Sequence, residues 1–220
     1  MMSHEERSKP MKISFRGDFL AVLLLTSFFS GCGAGFQGGS DIAQGRQAMF
    51  RGDYPTALSY FQSAEQAAPN YVYGTELREG VLSFLGRAQY LNGQLPAARG
   101  TLRKALDQHK SDNAARLYLG LTLAREGDRK TAAADIESGL KGMRELVNYI
   151  ANTFSNSFGS FWDSNGNLRK SITANLTMIA GGNFDWPTLI ANCETVAMNY
   201  EQVEDSAVRD QEQFRQMNQP

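Results

Sequence analysis

Cysteine and histidine are scarce in this chain, two of each in 220 residues. Structural zinc sites and histidine-based triads draw on those residues, so little material is left for either. An excess of one charge is also lacking. Lys and Arg number 22 against 23 Asp and Glu, a formal net charge of −1, whereas a domain that grips nucleic acid ordinarily carries a strong basic excess. No nucleic-acid partner is expected. Phosphate-cradling glycine loops and paired catalytic carboxylates are missing, and His109 has no motif linking it to Cys193. The chain is therefore read as a non-enzyme without a metal. The apolar run Phe19 to Phe29 (FLAVLLLTSFF) falls short of the roughly 20 residues that a membrane-spanning helix needs. What is present, 42% hydrophobic and 20% charged residues, suffices for one ordinary domain or for a repeat array with a cap.

The apolar run has the layout of a signal peptide. Met11 to Arg16 (MKISFR) supplies a short basic region before it, and Ser30-Gly31-Cys32 follows at once. Met11 is a workable start, since the preceding MMSHEERSKP adds acidic residues that such a leader does not need. Phe29-Ser30-Gly31-Cys32 resembles a bacterial lipoprotein lipobox in its small residues and its cysteine, with Phe29 where leucine is usual. The resemblance implies a leader over residues 1–31 and a covalent lipid on Cys32, the only group of cofactor kind expected. Multiple acyl chains anchor stably where one binds marginally. Gly33 stands where enteric-type bacteria place a retention aspartate, which implies the outer membrane, facing the periplasm. An ordinary secretory signal with a coincidental cysteine is the other reading. Residues 32–40, which hold GAGFQGGS, are glycine-rich and uncharged, as a flexible tether would be.

The rest of the chain is organised around Gly45 to Pro69, two short amphipathic helices joined by Arg51-Gly52-Asp53. Apolar and small residues recur there every three or four positions, the helical period. Aligning Gly45 with Gly86 and Gly120 brings three patterns into register: Ala57, Phe61, Ala64; Ala98, Leu102, Ala105; and Ala132, Ile136, Gly139. The turns Gly52-Asp53, Gly93-Gln94 and Gly127-Asp128 coincide as well. Gly86 to Gly120 is 34 residues, and the first interval is longer by seven, assigned to an insertion around Asn70 to Gly74. This register resembles the tetratricopeptide repeat family, whose unit is a helix-turn-helix of 34 residues. Small residues let the helices of a unit approach, while Phe61, Leu102 and Ile136 are expected to fill the space between units. The family's usual aromatic is replaced by Asp41, Leu82 and Arg116, and only the first unit keeps a terminal proline, Pro69.

The resemblance implies that the first helices of successive units line a concave groove for a partner's peptide or helix. Arg46, Met49, Arg87, Tyr90 and Arg125 fall on that face. Arginine beside an aromatic offers charge-assisted hydrogen bonds to carboxylates together with a stacking surface. Ordinary solvated arginines are the other reading.

Beyond residue 146 the pattern changes. A helix from Thr131 runs past Leu146 to Ile150 and into an aromatic stretch containing Phe154, Phe158, Phe161 and Trp162. That stretch covers the end of the array, as terminal units require, or forms a docking patch of Phe161, Trp162 and Trp186. Asp163 to Asn167 begins like a calcium loop, but Leu168 and Ala174 stand where glycine and glutamate are needed. Leu168, Ile172, Leu176 and Ile179 make a helical stripe that ends at Gly181-Gly182. A last helix begins near Asp185-Trp186-Pro187, with Leu189, Cys193, Val196, Tyr200 and Val203 on its buried side. From Asp185 onward seven acidic residues face two arginines. This acidic face either opposes the arginines of the repeats, within or between molecules, or is simply solvated.

The expected protein is all-α: a short tetratricopeptide-type solenoid of about three repeats over residues 41–146, with a helical cap over 147–220. By resemblance it is a lipid-anchored adaptor of the bacterial envelope that binds envelope proteins in outer-membrane, pilus, secretion or transporter assembly. The alternative is a small-molecule-binding accessory subunit of a transport system, its ligand held between array and aromatic cap.

Overall fold

The computed structural model describes residues 30–217, with side chains described from Gly35 onward. All of the expected leader but its last two residues, and the side chain of Cys32, lie outside the described residues. Within them the chain is mostly helical. The helices are α1 Ser30–Phe50, α2 Tyr54–Ala67, α3 Val81–Leu91, α4 Leu95–Gln108, α5 Asn113–Glu126, α6 Arg129–Thr153, α7 Asn167–Ala180 and α8 Trp186–Met217. A short 3-10 turn, Phe158–Phe161, joins α6 to α7.

Three helical hairpins follow one another: α1 with α2, α3 with α4, and α5 with α6. Gly52, Gly93 and Gly127 close their turns at φ of 77°, 73° and 95°, a left-handed backbone that glycine adopts without the clash a Cβ would bring. Asp53 and Asp128 then cap the returning helices, accepting the N–H of Thr56 at 3.3 Å and of Thr131 at 3.2 Å. Pro55 and Pro96 sit in first turns, where no helical N–H is lost. The hairpins also share their tightest contact. A Cβ on Gly45 would stand 2.5 Å from the Phe61 ring, on Gly86 2.6 Å from Leu102, and on Gly120 2.7 Å from Ile136. In each unit the bulky residue comes sixteen positions after its glycine. Phe61, Leu102 and Ile136 therefore fill their own hairpins first, which amends the expectation that they sit between units. Phe61 also reaches the next unit, its ring 5.5 Å from that of Phe84.

Two segments differ from expectation. The glycine-rich stretch read as a tether is the beginning of α1. Gly38 and Gly39 are small because α1 lies directly on Ala68 and Tyr71, where a Cβ would come within 2.7 and 2.8 Å. The insertion after α2 forms a two-stranded antiparallel bridge, β1 Val72–Tyr73 with β2 Glu79–Gly80, pairing Val72 with Gly80 and Tyr73 with Glu79. Gly74, at φ 88°, makes the turn out of β1.

Apolar burial divides into two clusters. The first joins Ile42, Met49, Ala57, Phe61 and Ala64 of the first hairpin to Val81, Phe84 and Ala88 of α3. The second runs from Tyr90 and Leu102 through Leu117, Leu121, Ile136 and Leu140 to Leu189, Cys193, Val196 and Tyr200 of α8. By this membership α8 belongs to the core of the array.

Candidate functional site

The site is the inner face of the hairpins, and α8 lies on it. Three first helices supply one basic residue each: Arg46 on α1, Arg87 on α3 and Arg125 on α5. On α8, Glu194, Glu201 and Asp205 are spaced by seven and four residues, which places them along one stripe of a helix. The two sets meet in reverse chain order. Glu194 accepts from Tyr90 Oη and from Arg125 Nη2, with the Arg125 guanidinium 4.4 Å over the Tyr90 ring. Glu201 Oε1 lies 3.1 Å from Arg87 Nη1. Asp205 receives both Nη atoms of Arg46, at 3.3 and 3.1 Å, and Arg46 Nη2 also donates to the Glu201 carbonyl at 2.9 Å.

The insertion completes the enclosure. Glu79 on β2 holds Arg87 in a two-pronged pair at 2.9 and 3.2 Å. Tyr73 on β1 lies under Arg46, its ring centre 5.0 Å away, and accepts from Arg46 Nη1 at 3.2 Å. Thr75 and Glu76 turn their backbone N–H groups on Glu204 Oε1 at 3.0 and 2.8 Å, and the Thr75 hydroxyl adds a third donor at 2.6 Å.

Arg87 is the centre of this arrangement. It has no exposed surface, and Glu201 is 2% exposed. Burial works against the guanidinium's charge, but Glu201 and Glu79 outweigh it and hold its pKa above the ordinary value. One guanidinium cannot neutralise two carboxylates. Burial accordingly pushes Glu79 up, to about 8, and raises Glu201 as well, with Arg87 opposing both shifts. Asp112, which caps α5 through the Ala115 N–H at 2.8 Å, is raised by the same burial. Both oxygens of Glu201, together with Arg87 Nε, are buried without a hydrogen bond. The seam therefore holds charge at close range with incomplete hydrogen bonding, an arrangement that specifies register more than it stabilises.

The residues read as a partner groove are thus brought together, but not as an open surface. Arg46, Arg87 and Tyr90 are buried, and of the basic residues only Arg125 retains substantial exposure. Met49 is corrected outright: it is fully buried in the first apolar cluster and does not belong to the groove face. Solvation of the acidic face of the last helix is corrected too, since four of its carboxylates are engaged within the same molecule. Glu79, Glu201, Glu204 and Asp205 were not singled out from the sequence. The available signal was a carboxylate spacing of seven and four residues beside an apolar stripe.

Of the aromatic candidates, Trp162 is 2% exposed and joins the second cluster. Phe161 packs on Phe214 at 5.9 Å between ring centres. Trp186 packs on Phe184 at 5.1 Å, beneath the Arg129 guanidinium. Trp162 borders an open depression of about 230 Å³ with Thr75, Glu76, Phe158 and Glu204, on which Trp186 does not border. The calcium-like stretch is a helix start, with the Asp163 carboxylate accepting the N–H groups of Leu168 and Arg169 at 2.9 and 3.0 Å. Cys193 is buried, and burial raises its thiol to about 12, so it has almost no thiolate with which to react. Among the described residues, no group of three or more His, Cys, Asp or Glu is placed to hold a metal ion. Among them too, no helix is long and apolar enough to cross a membrane.

Comparison of the chain with protein-family models, with curated proteins and with solved structures yields no match.

Proposed function

We propose that this protein is a helical adaptor of the bacterial envelope, a short tetratricopeptide-type array that recognises helices and is held at the membrane by lipid on Cys32. The observation that carries the recognition half is the occupied inner face: three first helices and the inserted bridge close around an amphipathic helix through charge pairs in a fixed register. A surface that orders one helix this way has the chemistry to recognise helices of the same kind. The shared register of Gly45, Gly86 and Gly120 with their bulky partners supports the repeat reading. Phe29 to Cys32 supports the anchor.

The test is photocrosslinking in the native envelope, followed by identification of the joined proteins, for the wild type and for Cys32→Ser. The expected result is membrane retention and envelope crosslinks for the wild type, and loss of both for the variant. A Cys32→Ser protein that stays in the membrane fraction with an unchanged mature mass contradicts the lipid anchor. A wild type that joins no envelope protein contradicts the adaptor.

A further inference from the structure

We propose that α8 is an exchangeable element, and that a second copy of this chain supplies the helix that fills the inner face when copies are concentrated. The inference rests on the reading of the inner face as a helix-recognition surface and adds the identity of the occupant.

Three observations lead to it. First, whatever occupies the inner face has a demanding pattern to meet. It must bury an apolar stripe such as Leu189, Cys193, Val196, Ala197 and Tyr200, and must set carboxylates against Arg125, Arg87 and Arg46 at spacings of seven and four residues. It must also offer one more carboxylate to the Thr75 and Glu76 amides. The last helix of a second copy meets every one of these conditions without any change of contact. A shorter or differently charged helix would leave buried arginines unpaired.

Second, the connection allows the exchange. Gly181-Gly182-Asn183 between α7 and α8 is exposed. A Cβ on Gly182, at φ 73°, would meet nothing within 4 Å, and one on Gly181 would meet only carbonyls of α7. Neither glycine of the hinge packs closely against a side chain of the array, and the contacts α8 would give up on opening are those that an incoming α8 restores. Short hinges joining a self-complementary element to its body are the usual route to swapped oligomers.

Third, the centre of the seam is left without hydrogen bonds to the α8 carboxylate, although Tyr90, Arg125, Arg46, Thr75 and Glu76 all donate to α8 around it. Glu201 is held in the interior by charge without a hydrogen bond to either oxygen. Closure is thus carried by complementarity, which a second copy reproduces. Tethering copies to one surface raises their effective concentration and favours exchange between neighbours.

A pair of charge-reversed full-length chains tests this directly. Arg46→Asp places two acids in contact when its own α8 closes, and Asp205→Arg places two arginines in contact. Mixed, each chain can offer the other the opposite charge. The expected outcome is a species of twice the chain mass on mixing, with a melting temperature above that of either variant alone. The double variant Arg46→Asp/Asp205→Arg serves as the folded control, closing on itself as a monomer. Wild-type chains carrying two different tags should likewise form mixed pairs in proportion to concentration. Variants that remain monomeric after mixing without thermal recovery, while the control folds, overturn the proposal. So does the absence of mixed tagged pairs at high concentration. Envelope crosslinks joining α8's site to a different protein, with no joined copies of this chain, overturn the exchange and leave the adaptor reading standing. Joined copies without any other envelope protein do the reverse.

Discussion

The contacts inside a hairpin and the seam beneath α8 are both buried helix interfaces, yet they are built on opposite principles. Inside a hairpin, a glycine on one helix admits a bulky side chain from the next, and Gly45, Gly86 and Gly120 repeat the device with Phe61, Leu102 and Ile136. The partners are apolar, close in sequence, and interchangeable in kind. Under α8, charged groups from 69 to 159 residues apart meet in pairs, and reversing one member of a pair alone places like charges together. Shape complementarity is what stabilises the hairpins. Charge complementarity decides which helix lies on them and in which register, since a buried ion pair gains little over an apolar contact but costs much when mismatched.

The comparison can be broken most severely from the hairpin side. Ala98 has no exposed surface, and Ala98→Arg would force a long charged side chain into a filled interior. Destabilisation of at least about 4 kcal/mol is expected, seen as loss of the cooperative transition in chemical denaturation. The seam should respond nearly as strongly to loss of its centre. Arg87→Met leaves Glu79 and Glu201 buried without a cation and should cost about 3 kcal/mol. Adding Glu79→Gln and Glu201→Gln should recover more than half of that loss, a pattern that no shape-based interface would show.

A smaller effect separates the two interfaces by pH. Glu79 is raised from an ordinary 4.5 to about 8 in the folded protein, with burial the main cause. Between those values the folded state keeps a proton that the unfolded chain has released. The associated stability is complete below the ordinary value and is lost as pH rises through about 8. Glu201 and Asp112 are raised by burial and add in the same sense. Melting temperature should therefore fall as pH rises from 5 to 8.5, and Glu79→Gln should flatten the slope. A slope unchanged in that variant would remove Glu79 from the explanation. The smallest effect belongs to the surface pair Arg99 and Glu126, 3.1 Å apart with the Arg99 side chain 42% exposed. Arg99→Ala should change stability by less than about 0.5 kcal/mol in the same denaturation assay.

Legibility in the sequence follows the same division. The three hairpins, their turns and the start of α8 at Asp185 were readable because each depends on residues within a few turns of one another. Asp185 accepts the Thr188 N–H at 2.9 Å, as a cap three residues away can. The early glycines misled, since GAGFQGGS has the composition of a tether although Gly38 and Gly39 are helix-packing positions against Ala68 and Tyr71. Met49 misled in another way. Its place one turn after Arg46 is real, but a helix shows several faces, and only packing decides which face meets the core. The two-residue strands of the insertion were too short to leave any periodic signal.

By itself the sequence determined an all-helical chain with three hairpins in one register, because helical period, glycine turns and close glycine contacts are local properties repeated along the chain. Tertiary structure alone decided that the inner face is filled, that Arg87 is its centre, and that Glu79 from the insertion and Glu201 from α8 meet there. Charge sign could be read residue by residue. Which charges would share one buried space depended on where the chain returned, and that is set by the packing of the whole molecule.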